Sequence, residues 1–71
     1  MDRDVLQRHL AQAQAHIETG YKNIARQREV IVHMERAGQD TASARHTLTQ
    51  FEELQALHIA DRERILRELQ G

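Results

Sequence analysis

An all-α fold is predicted: an antiparallel two-helix hairpin that pairs with a second copy as a four-helix bundle. Three features point to it. Proline is absent and glycine occurs only three times in 71 residues, while Ala, Leu, Gln, Glu and Arg dominate, which is helix composition. Apolar residues recur at spacings of three and four through two long runs. The two runs are separated by a single stretch, "RAGQD", that carries stop and restart signals. The whole of residues 1–71 is read as one helical-hairpin domain, with helices over about 3–36 and about 40–70 and a turn over 37–40.

The first run steps in fours and threes through Leu6, Leu10, Ala13, Ile17, Gly20, Ile24, Gln27, Ile31 and Met34. This is the seam of a coiled-coil-like helix, and Ile17, Ile24 and Ile31, each seven apart, fix its register. The turn follows. Arg36 puts a cation at the negative end of the helix dipole, Gly38 supplies the left-handed conformation past the helix end, and Asp40 or Thr41 caps the next helix. Ser43 stands where Glu or Gln would complete a reciprocal capping box, so the restart rests on one side-chain cap.

The second run carries Ala44, Leu48, Phe51, Leu54, Leu57, His58, Ile65, Leu66 and Leu69 as its apolar seam. Each rod is roughly 50 Å long at 1.5 Å per residue, and the short turn makes the two antiparallel neighbours. A symmetric three-residue connection centred near Gln39 sets residue i opposite roughly residue 78 − i. His58 then faces Gly20, one residue from Tyr21. A polar layer is expected there, flanked by Gln55 and Arg62, with Gly20 leaving room for the imidazole and the Tyr21 hydroxyl as its partner. The competing reading leaves the His58 ring at the seam's edge, in water.

One partner helix covers a stripe of only about 100°, and the apolar residues spread wider. Val5 and Val30 lie to one side of the first helix's seam, Tyr21 and Val32 to the other, and the leucines of the second helix span more than half its circumference. A core this small supplies only about 3–5 kcal/mol, and without cysteine there is no disulfide or thiolate metal site to add to it. Self-association is the remaining source of burial. Val5, Val30, Leu57, Ile59 and Leu66 are the expected interface, in a homodimer or against another protein partner.

Charge excludes other classes. Ten Lys and Arg against eleven Asp and Glu, interleaved along the chain, do not make the basic stripe of a nucleic-acid or anionic-membrane surface. Acids at the start replace the basic region of a signal peptide, and no run approaches a membrane span, so a cytoplasmic protein is expected. Five histidines invite metal or phosphoryl chemistry. His9 and His16, seven apart, have no Glu-x-x-His partner, and His33 and His46 flank the turn pointing away from the seam, so no metal ligand and no cofactor are assigned. His16 with a small residue, Gly20, one turn later has the spacing of a histidine phosphotransfer helix, although Thr19 stands where those domains carry Lys. Ser43, the only serine, has no glycine elbow around it, and Glu52 and Glu53 point about 100° apart. No catalytic residue follows. The expectation is a non-enzymatic, self-associating interaction or adaptor module. The alternatives are a signalling protein accepting a phosphoryl group on His16 and a metal-binding helical bundle.

From His16 to Leu69 the chain resembles a group of small uncharacterised α-proteobacterial helical-hairpin proteins. The residues that carry the resemblance are "IARQR" in the first helix, "GQDTA" at the turn and "FEELQALH" in the second helix. Ser43 departs from the Glu that often follows this turn. The resemblance implies the hairpin and a bacterial cytoplasmic setting, and it implies no activity.

Overall fold

The structure, a computed structural model, describes residues 2–71. It consists of two helices, α1 (Arg3–Arg36) and α2 (Ala42–Gln70), packed against each other along their length as a rod of 53 × 14 × 13 Å. Asp2 caps α1, its carboxylate accepting from the Asp4 amide, and His33 and Arg36 lie in the last turn, where cations suit the dipole.

The turn is an asymmetric device. Gly38 takes φ 72°, the only positive φ among the described residues. Its amide donates to the Glu35 carbonyl, while the Gln39 amide reaches back to the Met34 carbonyl at 2.9 Å. This pair of bonds is the Schellman closure, which a left-handed glycine makes possible. The N-cap of α2 is Thr41, which makes no side-chain capping bond; Asp40, one residue earlier, accepts from the Ala42 amide at its Oδ1 at 3.0 Å. The Thr41 hydroxyl accepts instead from the Arg45 guanidinium.

The seam of α1 matches its sequence reading. Leu6, Ala13, Ile17, Ile24 and Ile31 are buried, with Leu10, Gly20, Gln27 and Met34 half-buried between them. In α2 the seam is different from the expected one. It runs Ala44, Leu48, Phe51, Gln55, His58, Arg62, Ile65 and Leu69, and only Ala44, Gln55 and Ile65 are fully buried. Leu54 and Leu57, expected in the seam, are 51% and 67% exposed. Phe51, Leu54 and Leu57 are separated by three and three, and each three-residue step turns about 60° off a helix stripe. The four-three path that stays on the stripe passes through glutamine. At the open end of the hairpin Leu6, Ala13 and Ile65 form a buried apolar cluster with Leu10 and Leu69 against it.

The register also departs from the symmetric expectation. Gly20 meets Gln55, and His16 meets His58. At these two positions the α2 residue lies three to four residues further from the turn along α1 than the 78 − i relation gives, whereas the Arg28–Glu52 and Arg45–Glu35 ion pairs lie two residues nearer the turn. Five residues, 37–41, connect the helices.

Candidate functional site

The polar layer exists, but it is built by glutamine. Gln55 is 4% exposed, and its Nε2 donates across the seam to the Ile17 carbonyl at 2.8 Å. A Cβ on Gly20 would stand 1.8 Å from Gln55 Oε1, so the glycine is the space that the amide occupies. Oε1 is buried without a conventional donor and sits in the space a Gly20 side chain would fill. Gln27 mirrors the arrangement from α1, its Nε2 donating to the Ala44 carbonyl at 2.9 Å. Two amides thus cross the seam in opposite directions, each tied to the backbone of the other helix. A slip in register would leave both unpaired.

Tyr21 takes no part in this layer. It is 57% exposed, on the stripe it shares at spacings of seven with Arg28 and Glu35. His58 is half-buried and does not face Gly20; its ring meets that of His16, centroids 4.8 Å apart and planes at 89°. The polar seam expected of Gly20, Tyr21 and His58 is corrected to Gly20, Gln55 and Gln27, with a His16–His58 pair beside it.

The rod has two unlike broad faces. On one, cross-helix ion pairs join Arg28 to Glu52 at 3.5 Å and Arg45 to Glu35 at 2.7 Å. Ile59 and Leu66, both half-buried, continue the stripe of Arg45 and Glu52 at spacings of seven and belong to this face. On the other, a groove of about 280 Å³, open along its length, is lined by His16, Asn23, Phe51, Leu54, Gln55 and His58, with no charged side chain among its walls. Val30, seven residues after Asn23, and Leu57, one turn after Leu54, extend this face, and Val5 lies on the stripe of its Thr19. The five residues expected at a single interface therefore divide, Val5, Val30 and Leu57 on the groove face and Ile59 and Leu66 on the ion-paired one.

Toward the open end the groove continues past His9, His16, His58 and Asp61. Asp61 and Glu68 both accept from Arg64, at 2.7 and 2.9 Å, and these hydrogen bonds raise the guanidinium above its ordinary pKa. His33 and His46 are exposed near the turn. Among the described residues no three His, Asp or Glu side chains converge as metal ligands, and no helix is long and apolar enough to cross a membrane. The sequence places Gln27 on the first helix's seam and Gln55 beside the expected polar layer, but it does not reveal their crossings, because the partners are backbone carbonyls of the other helix. The available signal was that the four-three ladder of α2 stays unbroken only through Gln55.

No family model, curated protein or solved structure matches the chain.

Proposed function

We propose that the protein is a small, non-enzymatic interaction module that self-associates through its groove face, two hairpins packing as an antiparallel four-helix bundle. The observation that carries this reading is Leu54, 51% exposed on the wall of an uncharged groove, with Leu57, 67% exposed, one turn further along α2. The opposite face bears ion pairs that would have to be desolvated on contact. Area supports a second copy as the occupant. A compact monomer of this mass exposes roughly 4,600 Å², and this rod exposes 5367 Å². The excess is roughly 800 Å², about what each partner contributes to a stable interface. A two-fold arrangement matches each groove with an identical groove, so no complementary charge is required.

Association of folded chains makes the thermal midpoint depend on concentration. A midpoint that rises steadily over a hundredfold concentration range supports the reading, and an invariant midpoint removes it. A cytoplasmic, bacterial setting, as in the hairpins the chain resembles, belongs to the same proposal.

Exposure of His16 favours a second reading, phosphoryl acceptance at that ring. Against it, the space at Gly20 one turn later is taken by Gln55. Treatment with phosphoramidate followed by phosphorus NMR tests it: a phosphohistidine signal lost in His16→Gln supports this reading, and its absence ends it.

A further inference from the structure

We infer that His16 and His58 form a two-pronged clamp for a divalent transition-metal ion of the imidazole-binding class, zinc, nickel or copper, joining α1 to α2 within one chain. Their ring centroids are 4.8 Å apart. Two imidazoles bound side by side to one ion, with metal–nitrogen bonds of about 2.0–2.1 Å and an angle between tetrahedral and square, have centroids about 4.5–5.2 Å apart. The helices already hold the rings at that separation. The edge-to-face angle of 89° means that the side chains must rotate for both rings to present a nitrogen to one ion.

Access and surroundings agree. Both rings line the open groove, His16 exposed and His58 half-buried, so an ion reaches them from solvent. Asp61 and Arg64 both line the adjoining stretch with His9 and are bonded to each other at 2.7 Å, so their charges offset and the two imidazoles carry the site. The chain contributes no third converging ligand, so water completes the coordination and the site is exchangeable, unlike a closed structural zinc site. Two neutral nitrogen donors select against magnesium and calcium, which require oxygen shells. Because the two histidines are brought together only by folding, the ion binds the folded chain in preference to the unfolded one and stabilises the hairpin. Both ligands come from one chain, but they line the groove face proposed for self-association, so the clamp belongs to the free hairpin and is tested at a concentration where the chain is monomeric.

The test is thermal unfolding of the full chain at about pH 7.5 with zinc chloride, nickel chloride or, as control, magnesium chloride, alongside calorimetric titration with zinc. Each variant is compared with its own metal-free midpoint. The parent should show a saturable rise with zinc and nickel, at one ion per chain, and none with magnesium. His16→Gln and His58→Gln should each lower the affinity by about tenfold or more, while His33→Gln and His46→Gln leave it unchanged. If His58→Gln fails to fold, His16→Gln, altered at an exposed ring, decides alone. The inference is overturned by the absence of a saturable shift, by a shift that survives in His16→Gln, or by a stoichiometry of one ion per two chains.

Discussion

The two helices meet along one seam but bring very different residues to it. α1 supplies an almost uninterrupted apolar stripe, five buried residues from Leu6 to Ile31. α2 supplies Ala44 and Ile65 near its ends and Gln55, His58 and Arg62 between them, while Leu54 and Leu57 stand outside on the groove face. The difference separates two tasks. α1 provides the burial that holds the hairpin, and the middle of α2 provides hydrogen bonds that fix the register, with its leucines left to bury something beyond the chain. Polar seam residues specify alignment at a cost in stability, as a buried asparagine does in coiled coils.

The sharpest test of that division is a pair of truncations. Ile17→Ala removes a side chain that is 4% exposed and should cost about 2–5 kcal/mol. Leu57→Ala, equally apolar but 67% exposed, should cost less than about 0.5 kcal/mol at dilution, where the chain is monomeric. Denaturant melts measure both, and equal losses would erase the distinction between seam and groove. At the junction of the helices, Gly38→Val forces a β-branched residue to φ 72° and should cost about 1–2 kcal/mol. Gly38→Asn, which tolerates that conformation, should cost markedly less.

A smaller effect with a change of sign probes the amide crossing. Gly20→Ala should destabilise the parent, because its methyl displaces the Gln55 amide. In a Gln55→Ala background the same substitution should stabilise by about 1 kcal/mol, the ordinary preference of a helix for Ala over Gly. The double-mutant cycle isolates the coupling. If Gly20→Ala has the same effect in both backgrounds, the glycine has no part in holding the amide.

Much of this fold was legible in the chain because α1 and the turn obey local rules. A four-three apolar ladder, a cation in the last turn and a glycine followed by an aspartate each act within a few residues: Gly38 takes the left-handed conformation, and Asp40 accepts from the first amide of α2. The middle of α2 was not legible in the same way. A polar side chain in a seam is recognised only through its partner, and the partners of Gln55 and Gln27 are backbone carbonyls of the other helix. Register decided the rest. The observed register sets His58 against His16, while Tyr21 stays outside the seam. The groove depends on that pairing, and residue spacing within either helix alone could not place its walls.

Sedimentation equilibrium bears most directly on the claim that the groove face receives a second hairpin. The parent, with a chain mass of 8.3 kDa, should sediment at twice that mass in the tens of micromolar. Leu54→Ser/Leu57→Ser, altered only at exposed positions, should sediment as a folded monomer with its helical signal intact. A parent that remains a monomer at that concentration, or a double variant that still dimerises, would contradict the assignment of the groove face to self-association.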